Sequence, residues 1–209
     1  MKRLLFLLLP LCLTLVSCRA GATEPEQLYL VSAVGFDRTE AGLRVVTEVP
    51  LTRENEADKM EVRVFEGTGA MLADAMDDLK SGLGKKLFFG HCAVAVIGDL
   101  ISGDALREVL DYLTNGDLPL SLTVVSAPDA RELLARGSLS APAAGYEIPD
   151  ILRLRIRENG ISARCRVYEI AAQGSAFSLP RFLPNAPENA EADHFAGERT
   201  YREWKAVDE

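Results

Sequence analysis

The two histidines, His91 and His194, are the side chains of this sequence that could act as a general base near neutral pH. Cys92 follows His91 directly, and such a pair suggests a thiolate nucleophile with its base. The pair lies in the apolar run 86–98, which predicts one central strand, and neighbouring strand residues point to opposite faces. We therefore expect no nucleophilic pair: His91 should be a hydrogen-bonded structural residue, and His194, in an acidic segment, should be solvated.

A phosphate site and a metal site are the other chemistries to test against the residue types. Segment 81–86 contains glycine and lysine, but the phosphate-loop spacing fails because Leu79 and Lys86 occupy two of its required positions. The acids between 74 and 78 share one side of a helical pattern, which is typical of a solvated face. No histidine or carboxylate cluster has metal-ligand spacing. The sequence therefore predicts no enzyme, no cofactor and no bound metal.

Cys18 carries the most specific chemical signal in the sequence. Two cations precede an apolar run over 4–16, which is shorter than the roughly 20 residues that span a bilayer and is typical of an export signal. Residues 15–18 (LVSC) then match a lipobox, whose cysteine is acylated, for example with palmitate. We expect 1–17 to be a lipoprotein signal peptide, Cys18 to be lipidated and 18–27 to be a tether. A plain secretory signal with an incidental Cys18 is the alternative.

The composition is that of an ordinary folded protein, with 209 residues, 48% hydrophobic and 26% charged, and a net charge of −8. This negative charge disfavours nucleic acid as a partner. Once Cys12 leaves with the signal and Cys18 takes lipid, only Cys92 and Cys165 remain, too few for a disulfide framework. They could form one bridge, but the apolar surroundings of Cys92 favour a buried free thiol.

Five arginines lie close together in an otherwise acidic chain, against the single acid Glu158: Arg153, Arg155, Arg157, Arg164 and Arg166. Four of them are candidate binding residues: Arg153, Arg157, Arg164 and Arg166. Such a patch could contact anionic lipid headgroups or an acidic partner, since each cation near an anionic surface contributes about 1 kcal/mol. A solvated surface without a partner is the alternative.

The elements that would position these residues are predicted from hydrophobic periodicity and turn residues. Strand patterns cover 28–36, 43–49, 62–69, 86–98 and 120–127, and the first two form a hairpin. Helical patterns cover 70–80, 104–113, 129–134 and 143–158, and a strand over 152–157 is the alternative to the last. This order predicts an α+β fold, with a mixed β-sheet, helices packed on it, the strand hairpin first and alternating β/α elements after it.

The helical patterns predict two buried stripes and one cap. The first helix has an apolar stripe formed by Met71, Leu72, Ala75, Met76 and Leu79, and the second has one formed by Leu106, Val109, Leu110 and Leu113. Ser126 and Asp129 have the spacing of a capping box at the start of the third helix.

The predicted domain covers 28–180. Pro180, Pro184 and Pro187 are followed by an acidic stretch, which is typical of a linker or a domain edge. We therefore expect 181–209 to be a proline-rich, acidic tail, the remnant of a linker to an absent C-terminal domain.

Several ordered motifs carry a family resemblance. After the lipobox come LVSAVGFD at 30–37, EGTGAMLADAMDDL at 66–79 and KKLFFGHCAVAVIGD at 85–99. The order continues with Asp111-Tyr-Leu113, a strand through Val125, ARELL at 130–134 and Leu179-Pro180. The sequence resembles, over nearly all of the predicted mature chain, the N-terminal domain of the Ger(x)C family, the lipoprotein C subunits of spore germinant receptors.

The resemblance implies a non-catalytic lipoprotein on the outer face of the inner spore membrane or cell membrane. It would assemble with the integral membrane A and B subunits of the receptor and be required for nutrient-triggered germination. Four positions of the family-like motifs, Gly35, Asp37, Gly90 and His91, are expected to serve packing or turn hydrogen bonds rather than partner contact. A small solute-binding lipoprotein of a membrane transporter is the alternative function.

Overall fold

The fold is known from a computed structural model, which describes residues 24–53, 56–135, 143–159, 164–183 and 195–207. The strands in this part of the chain are β1 Leu28–Leu30, β2 Ala33–Thr39, β3 Gly42–Arg53, β4 Glu56–Gly69, β5 Lys86–Phe88, β6 Val94–Gly98, β7 Thr123–Ala127, β8 Ala176–Phe182, β9 Phe195–Arg202 and β10 Lys205–Val207. The α-helices are α1 Leu72–Ser81, α2 Asp104–Asn115, α3 Ala130–Ala135, α4 Ala144–Asn159 and α5 Val167–Gln173.

Eight strands form one mixed sheet in the order β10-β9-β8-β7-β6-β2-β3-β4. Strands β2, β3 and β4 are antiparallel neighbours, which confirms the predicted hairpin. Strands β2, β6, β7 and β8 pair in parallel, and β8, β9 and β10 are antiparallel. Strands β1 and β5 form a separate two-stranded parallel sheet. The predicted α+β class with a mixed sheet is confirmed.

Helices cover both faces of the large sheet, because alternate strand residues point to opposite sides. Val34, Phe36 and Val45 pack in one buried cluster together with α1, α2 and α5. Ala33 and Val46 pack in a second cluster with α3 and α4. The central strand β6 is buried along its whole length, as its apolar composition predicts.

The helical predictions hold, with two corrections of detail. The stripes of α1 and α2 are buried as the spacing predicts, but Met71 precedes α1 and is exposed. The capping residue of α3 is Asp129, whose Oδ1 accepts the Glu132 N–H at 2.7 Å. Ser126 is not its cap, because that residue lies in β7 with its hydroxyl 3.5 Å from the Pro180 carbonyl. The helix predicted over 143–158 is α4.

The apolar run 86–98 is two strands rather than one. β5 ends at Phe88, and the chain turns at Gly90 and His91 before β6 begins. The run 28–36 is likewise divided between β1 and β2. The two breaks lie side by side, since β1 pairs with β5 before the breaks and β2 pairs with β6 after them. Hydrophobicity alone did not reveal these breaks because both sides of each break are apolar.

The segment predicted as a tail, 181–209, contains part of the sheet. β8 extends to Phe182, and β9 and β10 continue the sheet beyond it. The ring of Phe177 stacks on that of Tyr201, with centroids 5.0 Å apart, and Asp99 forms ion pairs with both Arg181 and Arg199. These contacts attach the β8–β9 pair to the end of β6.

Candidate functional site

A groove of about 1080 Å³ lies beside the small β1–β5 sheet. One wall is the end of α1 with the loop that follows it, and a second is β5 with its turn. The lining is completed by Glu26 and Gln27, which lie just before β1, and by Tyr112 and Asp117, which lie near the end of α2. The family-like motif KKLFFGH at 85–91 therefore contributes most of its residues to the lining of one concave surface.

Three lysines, Lys80, Lys85 and Lys86, line this groove and are exposed. Two acids, Glu26 and Asp117, also line it, so the cations outnumber the anions locally although the whole chain has a net charge of −8. None of the three ammonium groups forms an ion pair with another described residue. The Nζ of Lys85 lies 5.5 Å from the ring centroid of Tyr29, a cation–π distance.

Exposed apolar side chains lie at the end of β5, where Phe88 lines the groove. Phe88 is 41% exposed, and Leu30, its register partner on β1, is 47% exposed. The ring of His91 meets that of Phe88 edge-on, with centroids 5.7 Å apart. A Cβ on Gly90 would lie 2.6 Å from the Cζ atom of Phe88, so glycine leaves room for this ring.

His91 differs from its prediction. It is exposed in the turn between β5 and β6, not buried in a strand, because the apolar run is broken there. Cys92, the next residue, is buried and its Sγ lies 3.4 Å from the Val94 carbonyl. The two side chains have opposite burial, so the structure does not combine them into a nucleophile and its base.

Cys92 and Cys165 are both free and buried, which excludes the disulfide alternative. Burial raises the pKa of Cys92 to about 12 and that of Cys165 to about 11. Both groups are therefore thiols at neutral pH and are poor nucleophiles and poor metal ligands. Cys18, the predicted lipidation site, and His194 lie outside the described residues.

The arginine candidates lie on two elements. Arg153 and Arg157 are exposed on α4, where Arg153 pairs with Asp150 at 2.8 Å. Arg164 and Arg166 are exposed in the segment that leads into α5. The backbone of Arg166 forms an isolated antiparallel β-bridge with Thr123 of β7. Two apolar side chains of α4, Leu154 and Ile156, are also exposed. The binding role of these arginines stays a prediction.

Two motif positions, Gly35 and Asp37, have structural roles beneath α3. A Cβ on Gly35 would lie 2.9 Å from that of Ala130, so glycine permits the close packing of α3 on β2. Asp37 is buried in β2, where its carboxylate accepts the N–H groups of Ala130 and Arg131 at 2.8 and 3.0 Å. The same carboxylate pairs with Arg44 at 2.8 Å. Asp37 thus holds a helix rather than forming a turn.

Glu48 is a buried acid that the sequence analysis did not single out. Its side chain accepts the Ser32 hydroxyl at 2.7 Å and the N–H groups of Ala144 and Gly145 at 2.9 Å each. It thereby holds the first turn of α4. Burial raises the pKa of Glu48, and the three hydrogen bonds oppose this rise. A charged residue inside the apolar strand pattern LRVVTEV was the available signal.

These features define a class of protein: a mixed-sheet α+β domain with an open groove, whose described residues hold no group of three or more potential metal ligands. Residues 21–174 match the family model of the spore germination protein N-terminal domain. The chain belongs to this family, which confirms the Ger(x)C resemblance and gives it a role in spore germination. The searches of curated proteins and of solved structures found no match. Strands β8 to β10 lie beyond the matched residues.

Proposed function

We propose that this protein is a lipid-anchored, non-catalytic subunit of a spore germinant receptor, required for nutrient-triggered germination. The observation that carries the proposal is the family match over residues 21–174. Its partners would be the integral membrane A and B subunits, and its place would be the outer face of the inner spore membrane or cell membrane. In this proposal the protein acts by contacting the other receptor subunits and catalyses no reaction.

Lipidation at Cys18 supports the membrane location. The LVSC sequence follows an apolar run of export-signal length, and each acyl methylene buried in lipid contributes about 0.8 kcal/mol. Two or more acyl chains are needed for stable anchoring. In the described part of the chain, no helix is both long and apolar enough to span a bilayer.

The state of the chemical groups supports a role in binding rather than catalysis. Raised pKa values keep Cys92 and Cys165 protonated at neutral pH. His91 is exposed, and its one ring contact given by the structure is with Phe88.

Cys18→Ala tests the anchoring, with Cys12→Ala as the matched control inside the same signal. Each variant is expressed in spores as the only copy. We expect the Cys18→Ala protein to lose its fatty-acid label and to leave the membrane fraction, and we expect its spores to lose nutrient-triggered germination. Cys12→Ala should retain all three. Fatty-acid labelling that persists in Cys18→Ala would contradict lipidation at this residue, whereas normal germination without the label would contradict the need for an anchor.

Association with the receptor is tested separately by purifying the tagged full chain from spore membranes. Co-purification of the A and B subunits is expected. The solute-binding alternative is favoured by one observation, the volume of the groove, which resembles that of small-molecule pockets. It predicts that a nutrient at 100 times its Kd stabilises the protein by about 2.7 kcal/mol in a thermal shift assay. Such a shift without co-purification would replace the receptor-subunit proposal.

The arginines of α4 would give the anchored domain a second contact, with anionic lipid headgroups or with an acidic partner. Each cation at an anionic membrane surface contributes about 1 kcal/mol. The variant Arg153→Glu/Arg157→Glu should therefore bind anionic vesicles more weakly than wild type if lipid is the partner. Unchanged vesicle binding and unchanged receptor co-purification would assign these arginines to a solvated surface.

A further inference from the structure

We propose that the groove beside β5 binds an extended acidic peptide segment of a partner protein. The segment would add as a strand to the open edge of β5 and place its carboxylates near Lys80, Lys85 and Lys86. This inference goes beyond the proposed function, because it concerns the chemistry of one surface and holds whichever way the chain is anchored.

The backbone of β5 supplies the first argument. β5 pairs with β1 on one side, and no other described strand pairs with its second edge. The Phe88 carbonyl accepts the Val31 N–H at 3.0 Å, so the backbone groups of Phe88 face β1. Because backbone groups alternate in direction along a strand, the N–H and carbonyl of Leu87 face the opposite edge. An open edge of this kind is a template for strand addition.

The charges supply the second argument. Lys80, Lys85 and Lys86 are exposed and have no ion-pair partner among the described residues, although acids outnumber bases in the whole chain by 31 to 23. Exposed cations gathered at one groove of an acidic protein favour an anionic partner over the rest of its surface. A carboxylate on an added strand, at the position beside Lys86, would lie on the same face as the exposed Lys86 side chain.

The apolar side chains supply the third argument. Phe88 and Leu30 are adjacent across the small sheet and remain largely exposed, so their apolar surface is available to cover. Lys86 and Phe88 lie two residues apart and so share one face of β5. An added strand with an acidic and an apolar residue two positions apart would place both on that face and could bury this surface at about 25 cal/mol per Å². The groove volume of about 1080 Å³ also exceeds what one small carboxylate would fill. Together these features favour a peptide of several residues that carries acidic and apolar side chains two positions apart, on one face of the added strand.

The test uses the purified full chain in detergent and a fluorescent heptapeptide in which glutamate and valine alternate along one strand face and threonine occupies the other (ETVTETV), measured by fluorescence anisotropy. We expect saturable, salt-sensitive binding that weakens about tenfold in Lys86→Glu, because a like charge then faces the glutamates. Lys205→Glu on β10 makes the same change of charge at an exposed lysine far along the sheet order and should bind within about twofold of wild type. Equal weakening in both variants, or no binding to wild type, would overturn the proposal.

Strand addition has its own control. A heptapeptide with the same side chains but N-methylated at alternate residues keeps the charges and removes the backbone donors. We expect it to bind about tenfold more weakly, because the open edge of β5 then loses hydrogen-bond partners. Equal binding of the two peptides, or displacement of the peptide by millimolar free glutamate, would show a simple carboxylate site and contradict strand addition. Neither result affects the anchoring and co-purification tests, so the two proposals can fail separately.

Discussion

The charged residues beneath α3 and α4 differ from those at the groove in how completely the protein itself satisfies them. Asp37 and Glu48 are buried, and each carboxylate accepts at least three hydrogen bonds from neighbouring groups. Lys80, Lys85 and Lys86 are exposed and have no ion-pair partner in the described chain. The buried acids have a structural task within the fold. Lys85 contacts the Tyr29 ring, but none of the three lysines has an ion-pair partner among the described residues, so their charges remain available to a ligand.

Substitution of Glu48 is expected to have the largest effect on the free energy of unfolding. Glu48→Ala removes the acceptor of two buried N–H groups at the start of α4, and the free energy of unfolding should fall by about 2–4 kcal/mol. Urea denaturation measures it. Glu40→Ala, at an exposed position in the turn between β2 and β3, is the matched control and should change stability by less than about 0.5 kcal/mol. Equal effects of the two variants on stability would contradict a structural role for Glu48.

Asp37 is expected to have a somewhat smaller effect. Asp37→Asn keeps the shape but turns one acceptor into a donor that faces the N–H groups of α3, and it weakens the contact with Arg44. We expect a loss of about 1–3 kcal/mol in the free energy of unfolding. Asp111→Asn, on the exposed side of α2, should leave stability nearly unchanged. A loss under about 0.5 kcal/mol for Asp37→Asn would show that α3 does not depend on this carboxylate.

The pH dependence sharpens the interpretation of Glu48. Burial raises its pKa in the folded state above the ordinary value of 4.5, so the folded state holds this proton to a higher pH than the unfolded state. The stabilising contribution is therefore full below pH 4.5 and is lost as the pH rises through the raised pKa. Glu48→Gln cannot titrate and should lack this component. Parallel curves of unfolding free energy against pH for the two proteins would contradict a raised pKa.

Substitution of a groove lysine should have the smallest effect on the free energy of unfolding. Lys86→Ala removes an exposed side chain without an ion-pair partner among the described residues, and we expect a change within about 0.5 kcal/mol. Thermal unfolding of the variant beside wild type checks this. A loss as large as that of Asp37→Asn would make Lys86 a structural residue and end the contrast between the two regions.

The sequence predicted those parts of the fold that have one strong local signal. The stripes of α1 and α2 have helical spacing, and Gly42, with a φ of 124°, is a turn residue at the start of β3, so these elements follow from local chemistry. The division of 86–98 into β5 and β6 depends on which strand each half pairs with, which is long-range information. Strands β9 and β10 were missed because their alternation is weak and follows an acidic, proline-containing stretch.

The candidate site was harder to predict than the fold. Lys85 and Lys86 belong to a motif that stands out in the sequence, but their groove also needs residues from before β1 and from the end of α2. Glu48 was missed because its partners, Ser32 and the start of α4, are far from it in sequence. A single acid inside an apolar strand shows that some partner must exist, but it does not identify that partner.

The position of Glu26 in the groove wall limits where a partner can be. An extended chain covers at most about 3.6 Å per residue, and eight residue steps separate Cys18 from Glu26. If Cys18 carries the acyl chains, Glu26 at the groove wall stays within about 30 Å of the lipid surface, whatever orientation the domain takes. A partner protein that inserts a peptide segment into this groove must therefore reach close to the bilayer.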